Sequence, residues 1–482
     1  MTMRRRLAIR WAAGLMFLGP GPALGADPGG FEAYVEDQEA AAGAYRAQEQ
    51  AAFAAYRKAH AEAFAAYRAR IQAHWDRVEV TRARQWVEYQ ENYRVKRVVD
   101  FAANEIRLSF QIPDEVAVSH RGGGWARLAS DSTDPASVRR RARAAVTELL
   151  ATRVGEAVAR DPVVQGVADR VASGASSGPA APEGGGPRVL AELVPAADAD
   201  GERLRQTAQQ LVADAKISVR VAKTHQGGGG DARSVRAHVV RIALPSDRPL
   251  KKAAAYVDSV QAATRQWRLS GSDRLNTALL LAVIHTESVF NPLAQSPEPA
   301  YGLMLIAPAP EDRERQRLLQ AQRDVSQPLS PNYLFRPENN IRLGTQTLHR
   351  YYQETFAGIE STRSRIYCAL AAYARDSAFV FATLAPDHPE AGAIQRINQQ
   401  SERRVLTRLD DGLAERVDQR YVDRVLSRIG QYEGLLARLE DPGGPTAGVP
   451  GRRLAEALRP GSSIELQTAR PAEPTGSGEL GT

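Results

Sequence analysis

The stretch LLLAVIHTESVFNPLAQSPEPAYGLMLIAP, residues 279–308, decides how this chain is read. Leu275, Leu279, Ala282 and Val283 recur at helical spacing behind Gly-Ser-Asp at 271–273, which predicts a buried amphipathic helix from 274 to about 288. Glu287 follows Val283 by four positions and so falls on the apolar face. A carboxyl in the last turn of such a helix has two reasons for a raised pKa: desolvation of its charged form and the negative end of the helix dipole. An acid kept protonated near neutral pH can act as a general acid; the bland alternative is a solvated or paired surface carboxyl. Asn291-Pro292 reads as the turn that ends the helix.

Outward from this stretch, the 482 residues are too many for one typical core, so two or three domains are expected. The start carries Arg4, Arg5, Arg6 and Arg10, a short apolar run from Trp11 to Leu18 and a small-residue exit at Ala23, Gly25 and Ala26. That pattern predicts a cleavable secretory signal over 1–25, since the run is far below the roughly 20 residues that cross a bilayer. Without residues 1–25 the formal charge falls from +7 to +3, a mild balance that suits an anionic polymer without selecting one. With no cysteine at the end of the signal, the expectation is a periplasmic protein without a lipid anchor. Cys368, the sole cysteine, lies in the apolar run IYCALAAY and reads as a buried structural thiol.

From Phe31 the chain repeats every eleven residues. Phe31, Phe53, Phe64, Trp75 and Trp86 share one phase, and Tyr34, Tyr45, Tyr56 and Tyr67 another. Eleven residues over three turns keep a stripe on one side of a straight helix, so a long helix is predicted over 31–85. Its aromatic face needs a surface: its own domain, a second copy or a protein partner. Period-two patterning over 84–113 then predicts one or two strands, placed at 94–110, and two more follow at 216–224 and 234–245, which puts early and late segments in one small sheet. A Ser/Gly/Pro run at 172–187 predicts a flexible loop. After Pro245 the pattern is helical to about Leu439, and 441–482 reads as a disordered tail.

Glu287-Ser288, Phe290-Asn291-Pro292, Ala294, Ser296 and Ala300-Tyr301-Gly302-Leu303-Met304 resemble the signature of the soluble lytic transglycosylase (SLT) family of peptidoglycan-cleaving enzymes. Pro337, Asn340-Ile341, Gly344 and Leu348 resemble its next motif, and Ala369 with Ala371-Ala372-Tyr373 its third. The Phe/Tyr repeats, Trp75, Trp86-Val87-Glu88-Tyr89 and Val99-Asp100-Phe101 resemble the N-terminal domain of the murein transglycosylase C group. The resemblance implies a multidomain α+β chain. A long N-terminal helix and a small α+β domain (26–245, its α+β part 86–245) would precede an all-α, lysozyme-like (goose-type/SLT) catalytic domain over 246–440.

It also implies the chemistry. Ordinary glycoside hydrolysis needs two carboxylates, whereas this family uses one. Glu287 would protonate the oxygen between N-acetylmuramic acid and N-acetylglucosamine, then take the proton of the 6-hydroxyl as a 1,6-anhydro ring closes. Ser296, Tyr301, Gly302 and Met304 match the loop beside the acid, Tyr373 the cleft wall and Tyr421 a tyrosine near the acid. Peptidoglycan strands are the implied partner, with no cofactor, metal, nucleic acid or membrane anchor expected. Asn340, Ile341 and Gly344 read as a structural helix–helix contact. Three departures leave a non-catalytic wall-binding protein open as the alternative: Leu305 replaces a glutamine, Ala374 an asparagine and Asp376 a glycine. A two-carboxylate hydrolase would need Asp376 or Glu298 opposite Glu287.

Overall fold

The computed structural model describes residues 28–112, 134–172, 185–194, 200–224, 233–308, 329–388, 390–413, 420–441, 455–464 and 466. The expected secretory signal and most of the 172–187 run lie outside them. Two compact units are distinguished, residues 1–56 with 309–328, and residues 57–308 with 329–482. The second carries the architecture described below.

Helix α1 spans Pro28–Gln72. Strands β1 (Gln85–Gln90), β2 (Val95–Asp100) and β3 (Glu105–Ile112) follow, then helices α2 (Pro135–Ala151), α3 (Val154–Ala159), α4 (Pro162–Ala172) and α5 (Gly201–Ala213), and strands β4 (Lys216–Thr224) and β5 (Arg233–Ala243). The remainder is helical: α6 (Arg248–Ala254), α7 (Val257–Gln266), α8 (Asp273–Ser288), α9 (Pro331–Leu334), α10 (Pro337–Arg350), α11 (Thr362–Ala374), α12 (Ser377–Leu384), α13 (Glu390–Asn398), α14 (Glu402–Leu413) and α15 (Tyr421–Glu440). The fold is mostly helical with a small antiparallel sheet and a long N-terminal helix, the lysozyme-like SLT arrangement.

The long helix ends at Gln72, not at 85. Trp75 leaves the helical path to lie under the β1–β2 hairpin, where its indole N–H donates to the Tyr93 carbonyl at 2.7 Å and Lys96 sits 4.6 Å from the ring centre. Trp86 belongs to β1. The buried stripe is the tyrosine phase: Tyr56, Ala59, Ala63, Tyr67 and Ile71 are buried, while Phe53 and Phe64, three positions out of phase, are half-buried. That displacement turns the phenylalanines to the edge of the face.

All five strands pair antiparallel in the order β1-β2-β3-β5-β4. The β3–β5 pairing, Leu108 opposite Val240, joins the early strands to the late ones. The early segment holds three strands rather than one or two, because Glu91, Asn92 and Tyr93 all take left-handed backbone (φ 49°, 51° and 66°) and reverse the chain. One sheet face carries Trp86, Val99, Ile106, Leu108, Val240 and Ile242, all buried. The other carries charge.

Three buried charges join the sheet to α6. Arg248, fully buried, donates to the Asn104 side chain (2.5 Å), the Phe101 carbonyl (3.0 Å) and Glu192 (3.0 Å), while Lys252 donates to the other Glu192 oxygen at 3.0 Å. In the expected tail, residues 455–464 are packed rather than free. Leu458 is fully buried in the helical core, Tyr367 donates to its carbonyl, and Gly461 N–H donates to Glu402 at 3.1 Å. Ala457 and Leu458 are buried while Arg363, Tyr367 and Glu402 hold the backbone, which docks a segment whose composition otherwise reads as loop.

Candidate functional site

Helix α8 starts at Ser272, whose side chain accepts from Leu275 N–H, and it is buried around nearly its whole circumference rather than along one stripe. Its polar residues are satisfied locally. Asn276 binds both N–H and C=O of Ser270, and the hydroxyls of Thr277, Thr286 and Ser288 donate to carbonyls one turn back. The helix ends one step before the predicted Asn291-Pro292 turn, at Val289 and Phe290, which both take left-handed backbone (φ 52° and 58°). Such conformations cost on the order of 1–3 kcal/mol each for non-glycine residues and persist where packing over-determines them. Packing does so here: Phe290 is fully buried, stacks on Tyr256 at 6.3 Å and meets Tyr432 edge-on at 5.9 Å.

Glu287 sits half-buried in the last turn, just ahead of this strained corner. The Tyr421 hydroxyl donates to its Oε1 at 2.5 Å. Tyr421 is the first residue of α15, and that helix start is held by Asp410, which accepts from Val422 N–H at 2.9 Å and Asp423 N–H at 3.2 Å. Tyr373, on α11, donates to the Met304 carbonyl at 2.6 Å. Burial, followed by the nearby Glu287 charge, pushes the pKa values of Tyr373 and Tyr421 far upward, so both remain hydroxyl donors. The neighbouring His285 stays neutral, its pKa pushed down to about 4 by burial and then by Arg428, Arg84 and Arg248.

The loop after the acid is fixed from α10. Asn340 donates to the carbonyls of Tyr301 (2.7 Å) and Leu334 (2.8 Å) and accepts from Met304 N–H (2.7 Å). Gly302 has φ +79°, and a Cβ there would lie 2.4 Å from Asn340 Nδ2; only glycine fits. Gly344 leaves room for Met304, whose Sδ would be 2.5 Å from an added Cβ. Asn340 and Gly344 thus make a helix–loop contact rather than the expected helix–helix one.

The candidate residues divide by position. Tyr421 meets Glu287 directly, and Tyr373 reaches the loop through the Met304 carbonyl. The Tyr301 side chain is fully buried against Phe335, ring centres 5.3 Å apart, and the Met304 side chain is buried beside Gly344, so each presents backbone rather than side chain. Ser296 turns its hydroxyl onto the Glu298 carbonyl within its own loop. Leu305 is half-buried with φ 48°, and Ala374 is half-buried at the end of α11. Asp376 caps α12, accepting from Phe379 N–H at 2.6 Å.

Sequence reasoning did not find the supports that the sheet half supplies. Arg84 donates to the Thr286 carbonyl at 3.2 Å, immediately before Glu287. Asn291 donates to the carbonyls of Arg82 and Ala83, and Gln295 donates to Asp161 at 2.7 Å. Asp161 also caps α4 through Val163 and Val164 N–H. These partners are separated by more than a hundred positions, and no local pattern announces them.

Residues 268–381 match the family described as Transglycosylase SLT domain. Curated relatives include proteins named membrane-bound lytic murein transglycosylase C. That of Actinobacillus succinogenes is 32% identical over 157 residues, covering 32% of this chain and 41% of the relative. That of Pectobacterium atrosepticum is 31% identical over 193 residues, covering 40% and 51%. That of Sodalis glossinidius is 34% identical over 134 residues, covering 28% and 35%. The chain therefore spans between about a third and half of the length of these relatives, with an SLT-domain match over residues 268–381 and homology at family level to the murein transglycosylase C group. The relatives' names correct one expectation. They are called membrane-bound, which overturns the reading of a free periplasmic protein without an anchor. Among the described residues no helix is long and apolar enough to cross a membrane.

Proposed function

We propose that this SLT-domain chain cleaves the bond between N-acetylmuramic acid and N-acetylglucosamine in peptidoglycan, and that it does so in association with a membrane, as its relatives are named. One observation carries the reading: Glu287 is held at a strained helix end, with Tyr421 on its Oε1 and the Gly302–Met304 loop fixed by Asn340. Acid-only chemistry suits this arrangement. Glu287 gives its proton to the bridging oxygen as the C1–O bond breaks, and the substrate's own N-acetyl group shares the positive charge at C1. The resulting carboxylate then takes the proton of the muramyl 6-hydroxyl while that oxygen bonds C1, giving the 1,6-anhydro product and returning Glu287 to its acid form. Tyr421 orients the carboxyl, and no water enters the balance.

The left-handed Leu305, standing in the place of an amide, favours the alternative of a wall-binding protein that has lost efficient turnover. Purified wall incubated with the parent and with Glu287→Gln separates the two. Glutamine keeps the shape and loses the mobile proton, so anhydro-muropeptide release is expected to fall 10²- to 10⁴-fold. Equal release by both would remove Glu287 from the mechanism, and no release by the parent would select the binding protein.

A further inference from the structure

The charged face of the sheet forms a groove of about 680 Å³, floored by β2, β3, β5 and β4 and walled by the connection that carries Arg77 and Glu79. Five cations line it, Arg77, Lys96, Arg107, Arg220 and Arg241, against one lining acid, Glu79. Glu79 is already taken: Arg107 donates to Oε1 at 2.8 Å and Lys96 to Oε2. Asp76 pairs with Arg220 and Glu105 with Arg241 from the rim. Arg77 is exposed on the wall and makes no ion pair among the described residues.

The strand register makes this excess costly. Arg107 lies directly opposite Arg241, and Arg241 directly opposite Lys216, so three cations form a row across β3, β5 and β4. Neighbouring strands are about 4.8 Å apart, and like charges placed opposite each other destabilise a sheet. A fold that needed only a solvated face would alternate the signs. A row of cations at strand spacing, with Arg107 and Arg241 lining the concavity and Lys216 next to Arg241 outside its lining, matches a ligand with several anionic groups along an extended chain.

The shape chooses among anionic partners. The Lys96 side chain is 4% exposed and that of Arg107 23%, at the floor of the groove, where a flat lipid surface does not reach. An extended peptide does, and its carboxylates suit the flat guanidinium forks of Arg107 and Arg241. We propose that this groove binds acidic peptide, namely the carboxylate-bearing stem peptides of the wall strand whose glycan Glu287 cleaves. The source of the peptide rests on the proposed function, but the chemistry of the groove does not.

The test uses the full chain and three exposed cations, Arg77→Gln, Lys216→Gln and Arg241→Gln combined, with Arg77→Gln alone as a variant that leaves strand pairing untouched. Retention is measured on intact wall, on wall stripped of its stem peptides, on poly-L-glutamate and on vesicles of anionic phospholipid, over a salt series. The parent should hold intact wall at least tenfold tighter than stripped wall, and should bind poly-L-glutamate with a steep salt dependence. The triple variant should lose that preference and flatten the salt slope, and Arg77→Gln should move part of the way. Equal parental binding to intact and stripped wall, unchanged binding by Arg77→Gln, or a preference for vesicles would overturn the proposal. Binding of poly-L-glutamate without anhydro-product formation would leave the groove standing and remove the glycan-cleaving reading, so the two fail separately.

Discussion

The helical half and the sheet half bury their interiors by different chemistry. In α8, residues Ala278 to Ile284 are fully buried and wholly apolar, and Asn276, Thr277 and Ser288 find their partners within the helix or at Ser270, while the last turn is met from outside by Arg84 and Tyr421. The sheet half buries Lys96 and Arg97, with Arg248 and Lys252 at its seam with α6, and satisfies them through Glu79, Glu88, Glu148 and Glu192 from elsewhere in the chain. An apolar core tolerates volume-conserving exchange among its side chains, whereas a buried charge depends on one particular partner. The acid-bearing helix therefore sits in the forgiving half, while Arg84 and Asp161, which brace its last turn and the loop that follows it, belong to the exacting one.

The sharpest way to break this contrast is at the seam. Glu192→Gln leaves Arg248 and Lys252 buried with no carboxylate between them, and removing one partner of a buried ion pair costs about 3–5 kcal/mol. Urea unfolding of the variant should show a correspondingly lower midpoint. A midpoint equal to that of the parent would mean that the seam is hydrated and that the two halves differ less than their burial implies.

Legibility in the sequence follows the same division. The Gly302–Met304 loop entered through the family resemblance, whereas the helix that carries Glu287 was readable because its determinants are local: apolar spacing and an Asn-Pro pair just beyond its end. The end of α1 was not, because Trp75 is drawn off the helix by Tyr93 and Lys96, contacts that an eleven-residue repeat cannot reveal. The docked segment 455–464 was missed because its anchoring comes from Arg363, Tyr367 and Glu402 rather than from its own composition. Tyr301 shows the limit within a motif: the resemblance implied a place in the loop beside the acid, but not the burial of its ring.

A smaller effect tests whether the helical half is as free of charge problems as its apolar core suggests. Glu433, on α15, is 1% exposed, and burial raises its pKa to about 7 against the favourable pull of Ala455 N–H and Arg274. A folded pKa above the unfolded one means that the folded state holds the proton longer. Stability should therefore fall as pH rises from about 4.5 to about 7, by at most about 3 kcal/mol. Glu433→Gln should flatten the dependence of melting temperature on pH across that window and raise stability at pH 7.5. If the parent and the variant show parallel profiles, the carboxyl is solvated in solution.

The smallest expected effect decides between one carboxylate and two. Asp376 stands where the family pattern has glycine and is one of the acids available to a conventional hydrolase. Its Oδ1 accepts from Phe379 N–H at the start of α12, which occupies it as a helix cap while its side chain remains at an exposed position. Asparagine caps about as well as aspartate, so Asp376→Asn should leave both melting and product formation nearly unchanged, while Asp376→Ala should cost about 1 kcal/mol of stability. A base or nucleophile would behave otherwise. Removing its charge at constant shape would lower turnover 10²- to 10⁴-fold with no change in melting. Product analysis makes the distinction complete: anhydro-ended fragments from Asp376→Asn at the parental rate confirm a cap beside a single-acid site. Reducing-end fragments from the parent that disappear in Asp376→Asn would replace that mechanism with hydrolysis by a carboxylate pair.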